Sequence, residues 1–346
     1  MPFAASDLEH PIVQAPMGGG ASTPALAAAV SEAGGLGFLA AAYRGVDAVR
    51  ADVAAVRAAT GRPFGINVFA PPRPVPDAAA VERYARGLAE RYGELGAARH
   101  DDDGWEEKLA LVAELRVPVV SFTFGCPDAA TVERLHSAGT AVWPTVTSPA
   151  EARAAEMVGA DALVVQGVEA GGHRATFDDT APVDLGLLAA LQLVGAASRL
   201  PLVATGGLAT GRAVAAVLAA GAAAAQLGTA FMLAPEAATA PAHREAVAGD
   251  GETGLTRAFT GRTGRGIVNR FQREHTDGAP LGYPDVHHLT APLRAAARER
   301  GDADGFHLWA GQAHALAEPV AAGELVRRLA AEARAALRDA SAAAGS

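Results

Sequence analysis

Two adjacent glycines precede a histidine in the segment 167–174, which reads GVEAGGHR. The apolar run before it, residues 162–165, predicts a buried strand, so His173 is expected near the C-terminal end of that strand. Glycine lets backbone N–H groups approach an anion closely, because no Cβ stands in the way. An imidazole titrates near neutrality and can act as a general acid or base, which makes His173 the candidate catalytic residue. A surface histidine after a tight turn is the alternative interpretation.

Glycines and amide side chains also collect at the ends of other predicted strands. Residues 205–207 (TGG) and 228–229 (GT) follow the seventh and eighth strands, where backbone N–H groups can form a nest for phosphate. Asn67 and Gln166 each carry a donor and an acceptor, as the carbonyl groups and ring nitrogens of a flavin require. The alternatives are helix-start turns for the glycines and hydrogen-bonded strand ends for the amides.

Short apolar runs alternate with helical patterns along the chain. The runs are nearly continuous, which is typical of parallel strands covered on both faces. Eight strands with seven intervening helices predict an α/β fold, the TIM (β/α)8 barrel. A doubly wound sheet is the alternative, but no Gly-x-Gly-x-x-Gly motif follows any predicted strand. The predicted strands are residues 12–15, 35–39, 64–69, 117–124, 142–146, 162–166, 202–205 and 224–227.

Two segments depart from the regular alternation of one strand and one helix that the barrel predicts. Residues 71–103 begin with a proline-rich run and continue as a helix, and residues 232–346 hold helical pieces, glycine-rich turns and a long alanine- and arginine-rich helix. We therefore predict a barrel formed by residues 1–70 and 104–231. A smaller, mostly α-helical cap domain, formed by residues 71–103 and 232–346 with the C-terminal helix, is expected over the strands' C-terminal ends, where such barrels carry their chemistry.

The composition excludes several kinds of partner and site. A net charge of −9 argues against binding to nucleic acid. Lys108 is the only lysine and Cys126 the only cysteine, which excludes an intrachain disulfide and a multi-cysteine metal site. No His-Glu-x-x-His or comparable spacing occurs, so no metal is expected. We see neither a secretory signal nor an apolar run long enough to span a membrane, and therefore expect a soluble cytoplasmic protein.

Together these segments resemble the nitronate monooxygenase family, formerly called 2-nitropropane dioxygenases, and in particular its bacterial class I members. The resemblance covers most of the chain. The element 167–174 is shared with flavin-dependent enoyl reductases of the same barrel type, whereas residues 101–105 and 309–312 point to the nitronate enzymes. The matching stretches are residues 14–20, 65–69, 101–109, 120–125, 166–174, 204–207, 226–234, 266–271 and 309–312.

This resemblance implies noncovalently bound FMN, no metal, and oxidation of anionic alkyl nitronates by O2 to a carbonyl compound and nitrite. Propionate 3-nitronate is one candidate substrate. His173 corresponds to the family's active-site histidine. From position and polarity, beside the resemblance, Tyr283, His287 and His288 of the cap segment are expected to contact the substrate, with Tyr283 and His288 as the named candidates; packing as a helix-capping aromatic is the alternative for Tyr283. The positions that match the family's flavin contacts are Pro16, Met17, Gly18, Asn67, Gln166, Gly171, Gly172, Gly206, Gly207, Gln226, Leu227, Gly228 and Thr229.

An NAD(P)H-dependent FMN reductase, acting on an enoyl thioester or a quinone, is the alternative function. It would need a nicotinamide site over the flavin, and the proline-rich run 71–76 is a candidate gate for one. Against it, the rim residues show no basic pocket for the phosphates of a dinucleotide. A noncatalytic flavin-binding protein is a third hypothesis. The sequence leaves the oligomeric state open.

Overall fold

The apolar runs of the sequence form the strands of a barrel in the computed structural model, which describes residues 3–344. Nearly all residues of the barrel strands are buried, because side chains fill the interior and helices cover the outside. The strands are β1 (Ile12–Gln14), β2 (Phe38–Ala40), β3 (Gly65–Phe69), β4 (Val119–Thr123), β5 (Ala141–Val146), β6 (Leu163–Gln166), β7 (Gly172–His173), β8 (Leu202–Thr205), β9 (Ala224–Leu227), β10 (Thr253–Thr256) and β11 (Gly264–Ile267).

Eight of these strands are parallel and follow the order β1-β9-β8-β6-β5-β4-β3-β2. The two ends of this order meet through two backbone hydrogen bonds. The Gln14 N–H donates to the Leu36 carbonyl at 2.9 Å, and the Leu36 N–H donates to the Ile12 carbonyl at 3.0 Å. A sheet that returns to its first strand is a barrel, so the predicted TIM (β/α)8 barrel is confirmed.

Helices lie between the strands and begin at caps that the sequence marks. Thr23, Ser148 and Thr210 each accept a hydrogen bond from the backbone N–H three residues further on, which satisfies a free donor at the helix start. The helices are α1 (Pro24–Glu32), α2 (Val46–Ala59), α3 (Ala78–Tyr92), α4 (Trp105–Glu114), α5 (Ala129–Ser137), α6 (Pro149–Met157), α7 (Leu187–Ala197), α8 (Gly211–Ala219), α9 (Pro241–Ala248), α10 (Arg270–His275), α11 (Asp285–Glu299) and α12 (Ala322–Ala344).

The last helix, α12, packs against the barrel rather than over its mouth. It contacts α8 and α1, and its buried Leu325 and Leu329 belong to the main barrel core. The approach to α8 is close, since a Cβ on Gly211 would lie 2.2 Å from the Glu332 Cβ. Helix α12 therefore takes the place of the barrel's eighth helix, although it belongs to the segment that we assigned to the cap and C-terminal helix.

A three-stranded antiparallel sheet connects the segment after Met232 to the loop that carries His173. Strand β11 pairs with β10 on one side and with β7 on the other. Its strands are short and rich in glycine, so no apolar run marked them in the sequence. That residues 71–103 and 232–346 form a separate cap domain stays a prediction. No helix within residues 3–344 is long and apolar enough to cross a membrane.

Candidate active site

The C-terminal ends of the barrel strands open into a cavity of about 450 Å³. This volume lies in the range of small-molecule sites, roughly 300–1,000 Å³. The cavity brings together His173 and all the positions predicted as flavin contacts. The latter are Pro16, Met17, Gly18, Asn67, Gln166, Gly171, Gly172, Gly206, Gly207, Gln226, Leu227, Gly228 and Thr229.

His173 is held in one orientation by its strand and by the rings around it. Pairing of β7 with β11 fixes its backbone, and its Nε2 lies 2.9 Å from the Thr260 Oγ1. The ring centroids of Phe124 and Trp309 lie 5.6 Å and 5.5 Å from that of the imidazole. The ring of Tyr283 lies 5.9 Å away. His173 therefore stands in a largely aromatic wall, with Thr260 as the polar contact of Nε2.

The pKa of His173 is lowered to about 3, first by burial and then by the positive charges of Arg262 and Arg294. This differs from the near-neutral titration that the sequence led us to expect, because the ring is buried and two arginines distant in sequence lie near it. At neutral pH the imidazole is uncharged and serves as a hydrogen-bonding group. A negative charge beside it would raise its pKa again.

A hydrogen-bond network behind the cavity fixes the loop between β6 and β7. The buried Arg174 donates to the Gln166 Oε1 at 2.8 Å and to the Gly167 carbonyl at 2.9 Å. Gln166 in turn donates from its Nε2 to the His173 carbonyl at 3.1 Å. Gln166 thus holds the backbone of His173 in place as well as lining the cavity. Arg174, to which the sequence gave no role of its own, orients that amide.

The amide side chains of two further residues differ in how many of their hydrogen-bonding groups have a partner in the protein. The Asn67 Nδ2 donates to the Ser121 Oγ and the Thr123 Oγ1, each at 3.0 Å, so β4 engages its amide nitrogen. The Gln226 Oε1 is buried and has no hydrogen-bond partner among the residues that the structure describes, 3–344. A buried acceptor without a donor is unfavourable. A ligand that brings a donor to Gln226 would remove that penalty.

Close contacts and left-handed backbone angles explain the glycines in two of the rim turns. A Cβ on Gly171 would lie 2.5 Å from the carbonyl carbon of Ala310. Gly206 and Gly207 both lie in the left-handed region, with φ of 123° and 66°, and a Cβ on Gly207 would lie 2.9 Å from the Glu169 Cβ. Larger residues at these positions would displace the turns that form the rim.

Of the three cap residues expected to contact the substrate, His287 lines the cavity, whereas Tyr283 and His288 do not. Tyr283 lies behind the wall, where its hydroxyl oxygen is 3.2 Å from that of Tyr43. The side chain of His288 points away from the cavity, and its Nε2 lies 3.2 Å from an Asp101 carboxylate oxygen. The neighbouring His287 faces the cavity while His288 does not, because adjacent residues of a helix point about 100° apart.

The family model described as Nitronate monooxygenase matches residues 3–332. The chain belongs to the nitronate monooxygenase family. It is 40% identical to the nitronate monooxygenase of Pseudomonas aeruginosa, over 94% of this chain and 97% of the relative. It is also 40% identical to the nitronate monooxygenase of Paraburkholderia phytofirmans, over 93% and 92% of the two chains. The predicted resemblance is therefore confirmed, and the protein is an enzyme of the oxidoreductase class.

Solved structures place this nitronate monooxygenase family member among close and more distant relatives. The crystal structure of nitroalkane oxidase from Streptomyces ansochromogenes has a TM-score of 0.93 at 51% identity, and the match covers 97% of this chain and 99% of that one. FabK from Thermotoga maritima has a TM-score of 0.77 at 26% identity, over 97% and 96% of the two chains.

Part of the cavity lining in this family member is cationic, which the sequence had not led us to expect. Arg294 and Arg298 line it together with His243, His287 and His307, and no Asp, Glu or Lys side chain from residues 3–344 does so. Their spacing on α11 was the available signal, since positions 287, 291, 294 and 298 share one helix face. Within the same described range, no group of three or more His, Cys, Asp or Glu side chains is arranged to hold a metal ion.

Proposed function

We propose that this enzyme uses bound FMN and O2 to oxidise alkyl nitronates, with propionate 3-nitronate as the first candidate, to a carbonyl compound and nitrite. The observation that carries the proposal is the cavity, in which His173 and two arginines border a space that no acidic side chain of residues 3–344 lines. A nitronate is a planar anion and is attracted to such a lining. Both relatives that are 40% identical to the chain are named nitronate monooxygenases.

Two features of the lining support FMN as the cofactor. The turns with Gly206, Gly207, Gly228 and Thr229 follow β8 and β9, where backbone N–H groups of such barrels hold phosphate. The Gln226 Oε1, an acceptor that no group in residues 3–344 satisfies, suits an N–H group of the flavin ring. When bound, FMN supplies an electron acceptor, which protein side chains lack.

The side chains around the cavity would bind and orient the nitronate. Arg294 remains positively charged at neutral pH, although burial lowers its pKa to about 10. It lies near enough to His173 to lower the pKa of that imidazole, so both side chains are positioned to meet one bound anion. The rings of Phe124 and Trp309 limit access of water to His173.

The low pKa of His173 favours nitronates over neutral nitroalkanes. A neutral nitroalkane must first lose a proton from carbon, and an imidazole with a pKa of about 3 is a weak base. The relative from Streptomyces ansochromogenes is a nitroalkane oxidase, so neutral nitroalkanes provide a direct comparison. We expect kcat/KM for nitroethane to be at least about 100-fold lower than for its nitronate, the scale of a missing general base.

The visible spectrum and a nitrite assay test the proposed function. We expect the purified or FMN-reconstituted protein to show bound-flavin absorption, and to consume O2 and release nitrite when it is given an alkyl nitronate. The His173→Asn variant should keep its flavin and lose about 10–100-fold in turnover of nitronates, the scale of one hydrogen bond to a charged group. A colourless protein that FMN cannot reconstitute would contradict the proposal, as would a flavoprotein that releases no nitrite from any alkyl nitronate.

The NAD(P)H-dependent FMN reductase, acting on an enoyl thioester or a quinone, is the second candidate. It is favoured by the likeness to FabK, which is weaker than the likeness to the nitroalkane oxidase. Anaerobic mixing with NADPH separates the two, because rapid bleaching of the flavin is expected only of the reductase. The cytoplasmic location and the lack of a nucleic-acid partner stay predictions from composition.

A further inference from the structure

Helix α7 presents an uncharged face to solvent on the outside of the barrel. Its opposite face packs against the barrel through Leu187, Leu191 and Val194. The outer face, called the α7 face below, consists of the exposed residues Leu188, Ala189, Gln192, Leu193, Gly195 and Ala196. The two leucines of this face are 52% and 47% exposed. Contiguous apolar surface of this kind marks a site of protein–protein interaction.

Other helices around the barrel expose charged side chains instead. Helix α2 exposes Asp47 and Arg50, and α5 exposes Glu133 and Arg134. Such charges are usual on the solvent-facing side of an amphipathic helix. The α7 face has a single polar side chain, that of Gln192, whose Nε2 donates to a backbone carbonyl of the same helix at 3.0 Å. The composition of the α7 face therefore resembles an interface more than a solvated surface.

The segments at both ends of α7 extend this apolar surface and are held in place. Before the helix, the buried Arg174 donates to the Val183 carbonyl at 3.2 Å. After the helix, the Arg199 N–H donates to a Glu156 carboxylate oxygen at 3.4 Å, which places the adjacent Met157 of α6 beside the end of α7. Val183 and Met157 are both exposed, Met157 by 80%. Because the surface is already ordered, a partner would lose little conformational entropy in binding it.

Opposite charges flank the α7 face at its two ends. Asp184 precedes the helix, and its side chain is 53% exposed, with a carboxylate oxygen 3.9 Å from the Arg174 guanidinium. Arg199 follows the helix and is also exposed. The midpoint between these two positions falls at the middle of α7, next to Gln192. A two-fold axis through Gln192 would bring Asp184 of each copy to Arg199 of the other, and would set the two helix dipoles in opposite directions.

We propose that the α7 face is a homodimer interface, in which α7 packs antiparallel on α7 of a second copy about a two-fold axis at Gln192. Leu188 then lies opposite the small Ala196 of the second copy, because both positions are four residues from the axis. Gly195 and Ala189 meet in the same way and allow the helices to approach closely. A second copy suits this surface because one axis pairs both charged ends with their opposites. The inference does not depend on the proposed function.

The oligomeric state of the full chain tests this interface. Sedimentation velocity from about 1 to 100 μM should show a monomer–dimer equilibrium, because an interface built on one helix is small. Leu193→Glu should weaken dimerisation at least about 100-fold, since each copy would bury a charge. The matched control is Leu316→Glu, which changes another exposed leucine, in the turn beside α9, and should keep the dimer. A wild type that stays monomeric, or a dimer that Leu193→Glu leaves unchanged, would overturn the interface.

A cysteine crosslink tests the antiparallel arrangement. In a Cys126→Ser background, which removes the chain's only thiol, Gln192→Cys places one cysteine at the proposed axis. Mild oxidation should then join two copies through a disulfide, because residues on a two-fold axis meet their own copies. Leu316→Cys in the same background is the control and should stay a single chain on a denaturing gel. A dimer that gives no crosslink at position 192 would overturn the axis, and a monomer that binds a different protein through α7 would overturn the homodimer.

Discussion

The ammonium group of Lys108 lies 2.7 Å from an Asp103 carboxylate oxygen, and the lysine is only 2% exposed. The same carboxylate accepts the N–H of Tyr43, with its two oxygens at 3.0 Å and 3.2 Å. Tyr43 has a left-handed backbone, with φ of 62°, and its ring stacks on His287 with centroids 4.0 Å apart. The chain's single lysine thus secures a strained residue at the cavity wall.

Replacing Lys108 should therefore destabilise the protein. Lys108→Met is expected to lower the free energy of unfolding by about 3 kcal/mol, because the half-buried Asp103 charge loses its partner. Urea unfolding measures the effect, and adding Asp103→Asn should recover part of it. The control is Arg50→Met, which breaks an ion pair of the same 2.7 Å length between exposed side chains and should change stability little. Equal losses in the two variants would contradict the assigned role of Lys108.

Thr260 is expected to act as a positioning residue for His173. Thr260→Val keeps the shape of the side chain but removes the oxygen 2.9 Å from the His173 Nε2. We expect kcat for nitronates to fall about tenfold, the scale of one hydrogen bond, while FMN stays bound. Thr260→Ser keeps the hydroxyl group and should restore most of the rate, which a purely packing role would not do. If the valine variant keeps full kcat, the aromatic wall alone orients the imidazole.

The residues at the rim of the site could be predicted from the sequence because the barrel fold alone brings them together. Parallel barrel strands end at one mouth, so residues such as Asn67 and Gln226, far apart in sequence, were expected to meet. Arg294 and Arg298 could not be placed in this way, since their position depends on how α11 packs over the barrel. The near-neutral pKa expected of His173 was wrong for the same reason, because the burial of the ring and the nearby charges of Arg262 and Arg294 both depend on the tertiary packing.

Gly171 and Gly172 should differ sharply in their tolerance of alanine. A Cβ on Gly171 would lie 2.5 Å from the backbone of Ala310 and of Gly311, whereas around Gly172 nothing lies within 4 Å. We expect Gly171→Ala to lower stability by about 3 kcal/mol or more and to weaken FMN binding, because backbone must move. Gly172→Ala, with φ of 79°, should cost only about 1–2 kcal/mol. Thermal unfolding and FMN titration measure both, and equal effects would contradict the contact.

The buried histidines should make the protein lose stability in mild acid. The pKa of His243 is lowered to about 4, that of His173 to about 3 and that of His287 to about 2, in each case chiefly by burial. Below pH 6.5 the unfolded chain therefore takes up protons that the folded protein does not, so the free energy of unfolding falls as pH falls. Each of these histidines should contribute a loss of about 1.4 kcal/mol between pH 8 and pH 5.5.

One of these histidines can be replaced without removing its hydrogen bond. The His243 Nε2 donates to the Trp309 carbonyl at 3.0 Å, and a glutamine amide can donate in its place. His243→Gln should therefore lower the difference in unfolding free energy between pH 8 and pH 5.5 by about 1.4 kcal/mol, which is the contribution expected from one buried histidine. Urea unfolding of wild type and variant at the two pH values, with the same flavin content, measures it. An unchanged difference would show that His243 is protonated in the folded protein at pH 5.5, against the burial that its position imposes.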